Sequence, residues 1–336
     1  MKFYMAPMEG MTGYVFRNAY QKYYHDVDRY FTPFICSVGL SHRELQDVLP
    51  EHNQNIDVVP QILTNRAEEF LAIAKRLEQF GYGTVNLNLG CPSGTVVSKG
   101  RGAGFLGSPK ELERFLEEVF AKCPLKISVK TRIGVKDSDE WGRLQSIYNQ
   151  FPLEELIIHP RLQQDFYQKP MKEGIFAVAL EQSRAPICYN GELHSVADFE
   201  RFHQKFPGVD KVMLGRGSFK MPGLAGSCRA VVERHMGESS SGERQMSIGE
   251  QEEMGTEYFT TLRAFLTELL QGYRQEMGND KHTLYKMKEV WTYLGQSIPN
   301  GARQVKQITK AKTVSEYKIA AGEALRLWEE ECCLHN

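Results

Sequence analysis

Cys91 stands where the alternating run Asn86-Leu87-Asn88-Leu89 gives way to Gly90, Pro92 and Gly94. Alternation of polar and apolar residues marks the end of a strand with two unlike faces, and the glycines and proline stop it. A thiol at such a corner is presented beyond the strand's carboxyl end, where it is available as an acid or a nucleophile. Other reactive types fall at the ends of comparable apolar runs. They are Pro7, Met8 and Glu9; Gln61; Asn88; Lys130 and Arg132; His159 and Arg161; Asn190 and Gly191; and Gly215 and Arg216. Singly, each has a plain structural reading: a small core cysteine, a satisfied histidine, a lysine reaching to solvent. Their coincidence at strand ends is what those readings explain poorly.

The elements that must position them alternate along the chain. Eight β-like runs, at 2–8, 29–35, 57–63, 84–90, 126–134, 155–160, 185–191 and 211–217, are separated by stretches such as "NRAEEFLAIAKRLEQFG" at 65–81 with apolar residues at helical spacing. Asn65 and Ser108 are expected as helix N-caps and Gly81 as a stop. This alternation predicts an α/β protein of the (β/α)8 TIM-barrel type, in which the chemistry lies at the carboxyl ends of the strands. An open doubly wound sheet is the alternative that periodicity leaves open.

The barrel is expected over 1–236 and a linker or exposed loop over 237–255, where "GESSSGERQMSIGEQEEMG" has little that can pack. A small all-helical domain is expected over 256–336. Its "GARQVKQITKAKTVSEYK" at 301–318 is rich in lysine.

The 41 basic and 42 acidic residues leave a formal charge of −1, so any site for a polyanion must be a local patch. Seven cysteines without a CxxC pair argue against a disulfide framework and against a four-cysteine zinc site, and no metal site is expected. With no signal-like segment and no membrane-length apolar run, the expected location is the cytoplasm. Barrel strands ending in "YNGEL" and "MLGRG" have the parts of a phosphate site, because glycines let backbone N–H groups approach an anion and Arg216 or Lys130 adds charge. A planar phosphorylated cofactor over the barrel mouth, cradled by "APMEG", fits that arrangement, and flavin mononucleotide answers the description.

"APMEGMTGYVFR" at 6–17, "NLGCPSGTVVSKGRGAGFL" at 88–106, "VKTRIG" at 129–134, "IHPR" at 158–161 and "YNGEL…VDKVMLGRG" at 189–217 resemble the flavin-dependent dihydrouridine synthases. The resemblance implies a barrel with a C-terminal helical domain that reduces uridines of tRNA, with FMN as cofactor and NADPH or NADH as reductant. It assigns hydride delivery to C6 from the flavin and proton delivery to C5 from Cys91. It places Pro7, Met8, Glu9, Gln61, Lys130, His159, Asn190, Gly191, Glu192, Gly215 and Arg216 at the flavin. Asn88, Arg132 and Tyr167 are placed at the uracil, and Lys286, Lys306, Lys310 and Lys312 at the RNA.

Two departures from the family pattern stand out: "HPR" replaces the usual His-Gly-Arg, and Glu192 stands where aspartate is common. Ribosomal RNA stays open as a substrate, and a monomer is the default with one site per chain. Two other functions remain as alternatives, a flavin-dependent reductase of a small pyrimidine or enone and a non-catalytic RNA-binding barrel.

Overall fold

The computed structural model describes residues 1–237 and 248–334. Its contacts divide the chain into two compact units. One is made of Met1–Tyr14, Asp28–Glu192 and His203–Gly215; the other is made of Val15–Val27, Leu193–Phe202 and Arg216–Asn336.

The first unit carries the sheet: β1 (Lys2–Met5), β2 (Arg29–Phe31), β3 (Val58–Val59), β4 (Gln61–Ile62), β5 (Thr84–Leu89), β6 (Lys126–Arg132), β7 (Glu155–His159), β8 (Ile187–Tyr189) and β9 (Lys211–Leu214). All eight expected runs contain a strand. The 57–63 run is divided by Pro60, which has no N–H for a ladder. Strand order is β3-β2-β1-β9-β8-β7-β6-β5-β4, parallel throughout. Its two ends are joined in the chain through Pro60, so the order closes into an eight-stranded TIM barrel, and the open sheet is excluded.

Alternation decides which residues line the interior. In β6, Val129 and Thr131 face outward, and Thr131 Oγ1 lies 3.0 Å from the Tyr148 hydroxyl of the helix Glu140–Tyr148. Ser128, Lys130 and Arg132 therefore share the other face. The interior has three storeys. Near the amino ends of the strands, the Tyr4 hydroxyl donates to Glu155 Oε1 (3.1 Å) and Lys211 pairs with the same oxygen (3.2 Å). Above this, Tyr4, Ala6, Phe31, Val59, Ile157, Cys188 and Met213 form an apolar layer. Toward the carboxyl ends come Gln61, Asn88, Lys130, His159 and Asn190. The apolar layer backs the polar upper storey, so groups in that storey face one open end.

Gly81 closes the helix Ala67–Gln79 as expected, with φ +89° and its N–H donating to Glu78 O (2.9 Å). Asn65 is not its cap. Arg66 occupies the N-cap position and the Asn65 amide donates instead to Lys99 O (3.1 Å). Ser108 does hold the N-cap position of Pro109–Lys122, through its backbone carbonyl, without a side-chain hydrogen bond.

The second unit is helical. Its C-terminal helices are Ile248–Met277, Asp280–Leu294, Ala302–Lys310 and Val314–Leu334. Residues 238–247 of the expected 237–255 loop lie outside the described residues. The rest is not loop, because the helix already runs from Ile248: Glu250 to Met254 are good helix formers, and the apolar periodicity from Phe259 onward continues their turn. The boundary between the units also differs from the expected one near 236. The helix Tyr14–Tyr24 groups from Val15 onward with the C-terminal helices, because Phe16 and Tyr20 meet Phe265 edge to face and Phe16 stacks on Phe219. Trp291 Nε1 donates to the Tyr317 hydroxyl (2.9 Å) deep within this unit. No described helix is long and apolar enough to cross a membrane.

Candidate active site

A directional series of hydrogen bonds holds the loop that carries Cys91. Asn88 Oδ1 accepts the backbone N–H groups of Gly90 (3.0 Å) and Cys91 (2.9 Å), which turns Asn88 Nδ2 toward Gln61 Oε1 (2.7 Å). Gln61 Nε2 then donates to Asn86 Oδ1 (2.8 Å) and Asn86 Nδ2 to Ser128 Oγ (2.8 Å), whose hydroxyl donates to Val85 O (3.3 Å). Thr32 Oγ1 accepts the Gln61 N–H (3.1 Å). A backbone N–H can only donate and a carbonyl can only accept, so both ends of the series are fixed. None of the three amides can flip without setting like groups against each other. All these side chains are buried, where an unpaired polar group is costly.

Arg132 ties the same loop from the other side. Its Nε donates to Gly90 O (3.0 Å) and its Nη1 to Leu162 O (2.8 Å), while the guanidinium lies 5.1 Å from the centre of the Tyr167 ring. At 1% exposure it is walled in. Burial raises the pKa of the Cys91 thiol; the Ser93 N–H, Lys130 and Arg132 pull the other way without prevailing. The thiol is therefore neutral near pH 7.

His159 Nδ1 donates to Asn190 O (2.7 Å), and burial together with the charges of Arg132 and Lys130 drives its pKa well down. The ring is therefore neutral, and its Nε2 is a buried acceptor without a partner among the described residues. Lys130 likewise has no ion-pair or hydrogen-bond partner among the described residues, and burial, then Arg132, lowers its pKa to about 8. Asn190 ties β8 to β9 by donating from Nδ2 to Met213 O (2.8 Å). At Gly191 a Cβ would run into the phenol of Tyr189, so a side chain there would require the buried Tyr189 to move. One buried acceptor, one unpaired cation and a bare backbone thus lie at the carboxyl ends of β6 to β8. They suit a polar, partly anionic planar group better than an apolar one.

The profile of the family "Dihydrouridine synthase (Dus)" matches residues 4–326. The chain belongs to the dihydrouridine synthase family. It is 30% identical over 230 residues to a "Probable tRNA-dihydrouridine synthase" of Staphylococcus epidermidis, covering 66% of this chain and 69% of that one. It is 26% identical to the "tRNA-dihydrouridine(16) synthase" of Ralstonia nicotianae over 94% of this chain and 95% of that one. A solved structure of morphinone reductase in complex with tetrahydroNAD is similar at a TM-score of 0.49 and 12% identity, over 68% of this chain and 86% of that one, too slight a likeness to add to the argument. Membership makes the protein a flavoprotein oxidoreductase of tRNA modification.

Among the residues singled out from the sequence, the structure brings Asn88, Cys91, Lys130, Arg132, His159, Asn190 and Tyr167 to one end of the barrel. Several also have partners within the protein. Gln61 uses both ends of its amide within the interior and thereby orients Asn88. Glu9 is exposed and paired with Arg43. Glu192 pairs with the buried Arg161 (2.8 Å), whose Nε donates to Lys169 O.

That pair ties Glu192, one departure from the family pattern, to the residue that follows Pro160, the other. Pro160 sits at the centre of a tight turn closed by Arg161 N–H to His159 O (2.7 Å), a shape proline's fixed φ suits. Pro7 and Met8 enter a turn in which Met8 N–H donates to Thr12 Oγ1 (2.8 Å). Gly215 has only ordinary contact, with Ala6, and Arg216 opens the helix Arg216–Lys220 of the second unit.

In the second unit Lys286 pairs with Glu289 (3.1 Å) and Lys288 donates to Ala311 O (2.6 Å), whereas Lys306, Lys310 and Lys312 are exposed and make no side-chain ion pair among the described residues. Sequence reasoning passed over Asn86, Ser128 and Thr32. The alternation that flagged Asn88 also flagged Asn86, but nothing in the chain announced their partners.

The fixed polarity of the series gives an expected outcome for Gln61→Glu. The carboxylate can accept from Asn88 but cannot donate to Asn86 Oδ1, so at neutral pH the variant should lose about 1–3 kcal/mol. Protonation restores a donor, so the new carboxyl titrates above its unfolded value of about 4.3, and the deficit should shrink as pH falls toward 4. Urea midpoints of wild type and variant between pH 4 and 8 check this; a deficit independent of pH would contradict it.

Proposed function

We propose that the protein reduces the 5,6 double bond of a uridine in tRNA to dihydrouridine, with FMN as its flavin, NADPH as reductant and Cys91 as the acid that protonates C5. The observation that carries this reading is a neutral, half-buried thiol held at the barrel mouth by a backbone-anchored series of amides. A thiolate would be the better nucleophile, but only the thiol can give up a proton.

When bound, the flavin supplies the hydride and the nicotinamide recharges it. Lys130 suits its electron-rich edge, and His159 Nε2 suits an N–H of the ring. Gly191 lets backbone approach a phosphate. Asn88 and Arg132 serve the reaction chiefly by holding Gly90 and Cys91, which orients the acid toward the base. Tyr167, 51% exposed beside Arg132, offers a face to the uracil.

Lys306, Lys310 and Lys312 suit RNA phosphates because their ammonium groups are exposed and make no ion pair among the described residues, although Glu316 accepts the backbone N–H of Lys312. The paired Lys286 is a weaker candidate. A small-molecule reductase would have no use for such a row. With tRNA as substrate, the work of the protein lies in the cytoplasm.

Cys91→Ala should keep its flavin and its NADPH oxidation with an artificial acceptor, yet lose dihydrouridine formation by about a hundred- to ten-thousand-fold. The check is single-turnover conversion of unmodified tRNA, with ribosomal RNA alongside, by pre-reduced protein. Conversion by the variant at near the wild-type rate would sink the assignment.

The RNA grip is checked separately. Replacing Lys306, Lys310 and Lys312 together by Ala should flatten the slope of log affinity for tRNA against log salt by about 0.7 to 1 per lost contact and leave NADPH oxidation intact. An unchanged slope would show that the lysines are only a solvated face.

A further inference from the structure

We propose that Phe166 is a stacking platform for a nucleobase adjacent to the reduced uridine, an inference that rests on reading the protein as a uridine reductase of tRNA. Phe166 and Tyr167 are consecutive, and both are large and exposed, at 46% and 51%. The Phe166 ring meets no other ring among the described residues. Its backbone has φ 46° and ψ −108°, a conformation that glycine adopts freely and a bulky side chain rarely does.

The surrounding loop enforces that conformation. Leu162 N–H donates to the buried Asp165 carboxylate (3.0 Å), Phe166 N–H to Gln163 O (3.2 Å), and Gln168 N–H to Asp165 O (3.0 Å). A costly conformation is thus maintained to hold an apolar ring in water. Glycine would remove the strain and the exposed ring together.

The position of the loop decides what the ring meets. Tyr167 lies 5.1 Å from the Arg132 guanidinium and 5.9 Å from the His159 ring, and Arg132 bonds the carbonyl of Gly90, next to Cys91. Phe166 is therefore one residue beyond a ring that borders the site. A uridine brought to Cys91 must leave its stack, which bares the faces of its neighbours. Aromatic side chains receive such faces in single-stranded RNA irrespective of base identity. Phe166, apolar and without hydrogen-bonding groups, suits a base face and neither a phosphate nor a ribose.

The experiment uses an unmodified tRNA transcript whose reduced position is first mapped with the wild-type protein, and versions with an abasic residue on either side of that position. Phe166→Ala should lower kcat/KM by about five- to a hundredfold, Phe166→Trp should retain it, and one abasic neighbour should cost the wild type a similar factor. Variant and abasic RNA combined should cost little more than either alone. Phe166→Gly should raise Tm while lowering kcat/KM, an opposition that a merely structural residue would not show.

Wild-type kcat/KM in Phe166→Ala, additive losses with the abasic RNA, or a lowered Tm in Phe166→Gly would each overturn the proposal alone. Absence of dihydrouridine with the wild-type protein would overturn the functional reading and this proposal with it.

Discussion

The acceptor at Asn88 Oδ1, taking the N–H groups of Gly90 and Cys91, is the constraint on which the site depends. A loop of glycines and proline has no side chains with which to define itself, so its shape must come from outside. Asn88 supplies that shape only if its amide is oriented. Orientation passes through Gln61 and Asn86 to Ser128 and ends on the Val85 carbonyl, inside the barrel wall. Four strands, β4, β5, β6 and, through Thr32 just after it, β2, thus determine where one thiol sits. Arg132 closes the arrangement from the opposite side, through Gly90 O.

The same geometry explains how an acid and two cations share one barrel end. Lys130 and Arg132 favour the thiolate, and burial opposes it and prevails. Arg132 is directed at carbonyls and the Tyr167 ring, and Lys130 is itself depressed toward neutrality, so neither opposes the acid at full strength. His159 is kept neutral by the same surroundings, which makes its Nε2 an acceptor for a cofactor N–H. The apolar layer of Phe31, Val59, Ile157 and Met213 beneath excludes water from the floor of this storey, and that strengthens each of these effects.

Much of the fold was legible because burial imposes period. Every expected β-run holds a strand, since Val85, Leu87 and Leu89 must face helices while Asn86 and Asn88 face the interior. Candidate site residues could be singled out through their strand-end positions and their likeness to a family. Their partners could not. Glu9 meets Arg43, Glu192 meets Arg161, and Gln61 meets two asparagines 25 and 27 residues away, and no local pattern encodes such pairings. The helical start at Ile248 was hidden because Gly, Ser and charge suggested a loop where good helix formers carry the helix outward. The strained Phe166 could not be read at all, since only backbone angles reveal it.

The most direct measurement is the pH dependence of Cys91 alkylation in the purified protein, followed by peptide mass spectrometry against wild-type and Asn88→Ala backgrounds. The rate should rise with an inflection above the ordinary thiol value of about 8.5, showing a neutral acid at physiological pH. Loss of the amide anchor should free the loop, open the sulfur to water and bring the inflection back toward that value. An inflection below the ordinary value in the wild type would mean a thiolate at neutral pH and would contradict the assignment of Cys91 as a proton donor.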